Sequence, residues 1–166
     1  MAGQLELVTR SPSGTRNIGA RLGALAGGGD LFLLTGDLGA GKTCLTQGIA
    51  LGLGVDELPV SPSFVLIRQY DGRLPLYHID FYRLERIEEI TDLGLDDYLY
   101  GYGVCVIEWA ERAQGMLPDD HMLVRIEHLD RNSRRLRLEP RGPRYMEILS
   151  QLEKTETFRN RKWNLP

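Results

Sequence analysis

Two runs of apolar residues stand out along this chain. Asp30-Leu31-Phe32-Leu33-Leu34-Thr35 reads as a buried strand, and Gly103-Val104-Cys105-Val106-Ile107-Glu108 as a central strand covered on both faces. Leu5 to Val8 alternates like a short first strand. Ser11-Pro12-Ser13-Gly14-Thr15 supplies cap residues for a helix through about Leu25, in which Ile18, Leu22 and Leu25 recur near helical spacing. Cys44 to Leu53 predicts a second helix, and Gly52 to Pro59 a turn-rich connection. Ser63 to Tyr70 and Leu74 to Phe81 predict a hairpin across Asp71-Gly72-Arg73. Short helical pieces follow at Glu85 to Thr91, Asp96 to Tyr100 and Ala110 to Met116. Met122 to His128 and Arg134 to Glu139 form a second hairpin around Asp130-Arg131-Asn132-Ser133, and a proline opens the last helix, Pro143 to Leu152. Residues 153–166 are polar, carry Arg159, Arg161 and Lys162, and lack apolar periodicity, so a mobile or partner-dependent tail is expected there.

The alternation of strands and helices predicts one domain over 1–152, a three-layer α/β sandwich with a mixed sheet flanked by helices. Composition agrees: 166 residues, 42% hydrophobic and 26% charged, suffice for one ordinary core. A net charge of −3 argues against global attraction to nucleic acid or to an anionic membrane. Met1 to Val8 has no basic segment followed by an apolar core, and no apolar run approaches a membrane span, so a cytoplasmic protein is expected. Cys44 and Cys105 suit small buried residues in a reducing compartment, although Cys44, near a helix start, is also placed for a lowered pKa.

Between the first buried strand and the second helix lies Gly36-Asp37-Leu38-Gly39-Ala40-Gly41-Lys42-Thr43, which fills every fixed position of the G-x-x-x-x-G-K-[ST] phosphate-binding loop. Glycines let backbone N–H groups turn inward around phosphate oxygens, and the helix start adds partial positive charge. Lys42 would reach the β- and γ-phosphates of a nucleotide, and the Thr43 hydroxyl would ligate Mg²⁺. Lys42 is also the only lysine before Lys154 in an arginine-rich chain.

Such a loop needs a carboxylate to position the metal or a water, commonly at a strand end. Leu76-Tyr77-His78-Ile79-Asp80 and Val104-Cys105-Val106-Ile107-Glu108 each end in one. Acids at strand ends also simply meet solvent, so both readings stand at this point. Trp109 suits either core packing or a cover for the nucleotide. His78 is expected to pack or hydrogen-bond within its strand, without partners for a zinc site. Ser61-Pro62-Ser63-Phe64 is either a proline turn or a switch whose hydroxyls reach Mg²⁺ or the γ-phosphate.

Gly36 to Thr43, Ser61-Pro62-Ser63-Phe64, His78-Ile79-Asp80-Phe81-Tyr82-Arg83 and Glu108-Trp109, in that order and spacing, resemble the TsaE family of small bacterial P-loop ATPases. The resemblance spans roughly Leu5 to Leu138. It implies a P-loop NTPase-like fold and a role in forming N6-threonylcarbamoyladenosine beside the tRNA anticodon. It also implies ATP and Mg²⁺ as ligands, with TsaD and TsaB as partners through which tRNA is met indirectly. ATP hydrolysis in that family supports repeated turnover by the partners. By motif, Gly36, Asp37, Leu38, Gly39, Ala40, Gly41, Lys42, Thr43, Cys44 and Ser61 would bind the nucleotide, with Lys42 and Thr43 on its phosphates, and Thr43, Ser61 and Glu108 would hold the metal. Lys42, Asp80 and Glu108 would serve hydrolysis, and Trp109 would lie by the nucleotide. Thr15, Ser133 and Arg134 would approach the base or ribose. Cys44 stands where the family commonly has a hydroxyl, with little consequence because Thr43 already supplies one.

The main rival is a P-loop kinase of a small metabolite, with Arg131, Arg134 and Arg135 as lid arginines instead of a solvated hairpin tip. A third class is a nucleotide sensor that binds without turnover. A GTPase is disfavoured because no Asn-Lys-x-Asp string occurs.

Overall fold

The computed structural model describes residues 3–62, 64–113 and 115–163, with side chains through residue 155. Seven strands form one mixed sheet: β1 Leu5–Thr9, β2 Leu31–Thr35, β3 Ile67–Asp71, β4 Pro75–Asp80, β5 Val104–Glu108, β6 His121–His128 and β7 Arg134–Arg141. Their spatial order is β1-β7-β6-β2-β5-β4-β3. The four central strands run parallel, while the outer pairings, β3 with β4, β7 with β6 and β1 with β7, are antiparallel. Parallel strands need cover on both faces, which is why β2 and β5 read as continuous apolar runs and β1 alternates.

The pleat divides these runs between two cores. Phe32, Leu34, Val106 and Val124 face one side, where they meet Leu22 of α1 (Pro12–Leu25), Leu45 and Ile49 of α2 (Lys42–Gly52), and Ile148 and Leu152 of α5 (Pro143–Trp163). Leu31, Leu33, Cys105 and Ile107 face the other, against Ile90 of α3 (Ile87–Thr91), Leu99 of α4 (Asp96–Leu99) and a 3₁₀ turn at Ala110–Ala113. The expected sandwich with helices on both faces is therefore observed. Among the described residues no helix is long and apolar enough to cross a membrane.

Several boundaries differ from the sequence expectation, each for a local reason. The strand expected from Ser63 begins at Ile67, because the amides of Val65 and Leu66 turn back onto the Pro62 carbonyl and Leu66 takes φ 70°. Ser63 itself lies outside the described residues. The helix expected from Glu85 begins at Ile87, since the Glu85 and Arg86 amides donate to the Glu89 carboxylate at 2.8 and 3.0 Å instead. The piece expected from Ala110 to Met116 is only the 3₁₀ turn. In the other direction, α5 continues without a break past Leu152, the last fully buried side chain among its described ones, to Trp163. The backbone of 153–163 is therefore helical, and 164–166 lie outside the described residues.

α1 and α2 lie backbone to backbone. A Cβ built on Gly19, Gly23, Gly48 or Gly52 would stand 2.1–2.4 Å from a main-chain oxygen of the facing helix. This contact fixes α2, and hence the loop that opens it, against α1, whose own start is set by Ser11 accepting the Gly14 amide at 3.0 Å.

Gly48→Ala should lower the urea midpoint. Its methyl would meet the Arg16 oxygen at 2.2 Å, and overpacking of about 1–3 kcal/mol outweighs a helix-propensity gain of at most about 1 kcal/mol. Gly14→Ala, whose nearest neighbour is 3.4 Å away, should leave the midpoint unchanged or raise it. Equal losses in both variants would show that the close approach does not govern the interface.

Candidate functional site

The loop between β2 and α2 is shaped by backbone that only glycine tolerates. Gly41 sits at the N-cap of α2 with φ 115°, and a Cβ on Gly36 would lie 2.4 Å from the Ile126 oxygen. No side chain caps α2, so its first N–H groups are available to an anion. Lys42 is buried, and its ammonium donates to the carbonyls of Gly36 at 2.5 Å and Asp37 at 2.9 Å. Two of its three donors thus close the loop and the third remains for a phosphate. Burial pulls Lys42 below the usual lysine range, while the carboxylates of Glu108, Glu111, Asp80 and Asp37 pull upward.

The acids that serve this loop come from the C-terminal ends of neighbouring parallel strands. Asp80 and Glu108 are paired in register across β4 and β5, and Leu34 of β2 stands beside Glu108. Glu108 is buried and accepts from the Thr43 hydroxyl at 2.9 Å (Oε1) and 3.2 Å (Oε2). Because Thr43 gives its proton to Glu108, its oxygen lone pairs stay free for a cation. Asp80 is buried too, with Oδ2 accepting from Ser61 Oγ at 2.6 Å and Oδ1 from the Tyr82 amide at 2.8 Å. Both carboxylates therefore face the loop, not bulk solvent, and Ser61 joins them.

Trp109 follows Glu108 with φ 57°, a left-handed conformation that costs a bulky residue on the order of 1–3 kcal/mol. That turn lays its ring over the Lys42 ammonium, 4.1 Å from the centroid, and beside Tyr82 at 5.1 Å. A cavity of about 310 Å³ is lined by Gly39, Lys42, Thr43, Ser61, Asp80 and Glu108, with Leu38, Gly41, Cys44, Tyr82 and Trp109 completing its wall. Its donor set of two hydroxyls and two carboxylates is all hard oxygen, which fits Mg²⁺.

The remaining expected residues lie at the margins. Arg134 reaches the loop itself: its Nε donates to the Ala40 carbonyl at 2.8 Å, and its Nη1 to the carbonyls of Asp130, Arg131 and Ser133. Ser133 is buried in that hairpin, its amide donating to Asp130 Oδ1. Thr15 is buried with its hydroxyl paired to Thr9 at 2.8 Å. Neither Thr15 nor Ser133 lines the cavity. Arg135 points along the sheet to Glu6 and Glu127, away from any lid position. The Cys44 thiol donates to the Pro12 carbonyl, and burial pushes its pKa up, overturning the lowered value that its place on the helix suggested. His78 also departs from expectation. It is bonded not within β4 but across to β5, its Nε2 2.5 Å from Glu108 Oε2. The period-2 set Leu76, His78, Asp80 signals the face that meets α2, which alternate residues share, though not the partner on β5.

The family model for Threonylcarbamoyl adenosine biosynthesis protein TsaE matches residues 9–136. The tRNA threonylcarbamoyladenosine biosynthesis protein TsaE of Bacillus subtilis is 40% identical over 158 residues, 95% of this chain and 99% of that protein. Its counterpart in Treponema pallidum is 47% identical over 115 residues, 69% of this chain and 85% of that one. The crystal structure of YdiB from Bacillus subtilis superposes with a TM-score of 0.82 at 37% identity, covering 94% of this chain and 98% of that one.

Both thiols should be sluggish nucleophiles. Burial holds Cys44 above the ordinary thiol range and Cys105 at about 12, so the reactive thiolate is scarcer at pH 7.5 than in a free cysteine. Timed alkylation with iodoacetamide, read by mass spectrometry, should show Cys44 slower than an unfolded cysteine and Cys105 unmodified until the chain unfolds. Cys44 reacting faster than the unfolded control would restore the lowered-pKa reading.

Proposed function

The chain belongs to the TsaE family, and we propose that it is the ATP-binding and ATP-hydrolysing subunit supporting N6-threonylcarbamoyladenosine formation beside the tRNA anticodon. It acts in the cytoplasm with a TsaD–TsaB complex, hydrolyses slowly alone, faster with its partners, and meets tRNA only through them. The observation that carries the hydrolytic part is the registered pair Asp80 and Glu108, each held by a hydroxyl and both opening onto the phosphate loop.

In this reading the N–H groups from Gly39 to Thr43 cradle the β- and γ-phosphates, and Lys42 neutralises charge on them. Thr43 and Glu108 would hold Mg²⁺, with Ser61 in reach from the switch segment. When bound, the ion supplies neutralisation of the phosphate oxygens. Asp80, with both oxygens fixed by Ser61 and the Tyr82 amide, orients a water for in-line attack on the γ-phosphorus. The bond to the bridging oxygen breaks, releasing ADP and inorganic phosphate. Trp109 covers the lysine and excludes water from that side. The Cys44 thiol donates to the Pro12 carbonyl beside the first turn of α2, Arg134 holds the Ala40 carbonyl of the loop, and the nucleoside leaves the loop along that flank, toward Thr15 and Ser133. A metabolite kinase is not favoured: Arg134 is committed to the loop and Arg135 to Glu6 and Glu127.

Asp80→Ala and Glu108→Ala should each lower ATP hydrolysis by more than about tenfold, because each removes a charge acting on the water or the metal. Wild-type phosphate release in both variants would reject the assignment. Lys42→Ala should weaken titration by a non-hydrolysable ATP analogue. Reconstitution with TsaD, TsaB and tRNA should yield modified adenosine over many turnovers with the parent chain and not with Asp80→Ala. Failure to associate with the partners in every nucleotide state would remove the pathway role.

A further inference from the structure

His78 is a buried ionisable side chain at the cleft to which nothing above gives a task. It is 0% exposed, lies two residues before Asp80 on β4, and sends its Nε2 to Glu108 Oε2. We propose that His78 is a positioning residue whose Nε2–H holds the Glu108 carboxylate in the orientation that meets Thr43 and the metal accompanying ATP. The proposal rests on the ATPase reading above.

The donor count around Glu108 leads to this role. A carboxylate only 2% exposed is costly to bury without partners. Thr43 supplies a single proton, spread over both oxygens at 2.9 and 3.2 Å, and so leaves rotation of the carboxylate weakly opposed. His78 adds a second donor from the neighbouring strand, on Oε2 alone. One oxygen is thereby distinguished from the other, and the side chain is pinned from β4 on one side and α2 on the other.

The other ring nitrogen fixes the direction of the bond. His78 Nδ1 is buried and has no hydrogen-bond partner among the described residues. A neutral ring with its hydrogen on Nε2 leaves only a lone pair there, whereas the opposite tautomer or a charged ring would strand a buried N–H. His78 therefore donates and Glu108 accepts. A phenyl or aliphatic side chain would fill the same space, so a packing role alone gives no reason for an imidazole here. Donors behind a metal-binding carboxylate typically change metal affinity by about 10–100-fold when removed.

The test separates a hydrogen-bond donor from a filler. Mn²⁺ serves as the spin probe for the Mg²⁺ site, and its affinity for the full chain with a non-hydrolysable ATP analogue is read by paramagnetic resonance. His78→Leu should lose about 10–100-fold in Mn²⁺ affinity, and His78→Gln, whose Nε2 occupies the imidazole donor's place, should stay within a few-fold of the parent. Analogue affinity in excess chelator should be equal in all three. Unchanged Mn²⁺ affinity in His78→Leu, or equal losses in Leu and Gln, would overturn the proposal. A parent chain that binds neither Mn²⁺ nor the analogue would instead remove the ATPase reading beneath it. Should His78→Leu fail to fold, nitrogen-15 spectra of the parent's histidine rings decide: an Nε2–H tautomer for His78 is expected, and an Nδ1–H tautomer overturns the assignment.

Discussion

The Glu108 carboxylate is the point on which the cleft depends. It is where the helix that follows the phosphate loop, through Thr43, meets two neighbouring strands, its own β5 and the β4 that carries His78. A buried charge at such a junction tolerates little displacement, because losing one donor leaves an ion with too few partners. The parallel register of β4 and β5 is constrained by the same group. A slip of one residue would turn Leu76, His78 and Asp80 away from α2 and put Tyr77 and Ile79 in their place. Hydrophobic alternation and the polar junction therefore select one register together.

The second organising fact is the balance of charge. Around a single buried lysine stand Asp37, Asp80, Glu108 and Glu111. The protein alone holds more negative than positive charge at this spot, and ATP, the proposed ligand, would bring still more. In the proposed reading a divalent cation would bring nucleotide and acids together, and the hard oxygen donors of Thr43, Ser61, Asp80 and Glu108 suit one. The strained backbone at Trp109 belongs to the same economy: it places an aromatic face on the ammonium, where ordinary strand geometry would have carried the ring elsewhere.

Much of this was legible in the sequence because local rules determined it. The glycines and Lys42 announce the loop, and the apolar runs ending in Asp80 and Glu108 announce central strands with acids at their C-terminal edge. The Ser11-Pro12 start of α1 follows from capping chemistry alone. What escaped was non-local. The alternation of Leu76, His78 and Asp80 shows which face His78 takes, but nothing near it in the chain reveals that its partner lies on β5, thirty residues away in sequence. Leu66 is left-handed because of a turn built on Pro62, and a propensity-based reading extends the strand through it. The extension of α5 past Leu152 has no buried apolar face in its described part to announce it. Arg134 looked like a hairpin-tip cation, yet its contact is a carbonyl in the loop, ninety-four positions distant.

The interface between α1 and α2 has a consequence for how this chain can change. Where helices meet through side chains, a residue lost on one surface can be matched by a gain on the other. Here Gly19, Gly23, Gly48 and Gly52 meet main-chain atoms, which every amino acid carries alike. No replacement on the opposite helix can make room for an added methyl. A second-site suppressor of such a change must move a whole helix, and moving α2 moves the loop with it. Stability at this contact and geometry at the phosphate site are therefore inherited as a single trait.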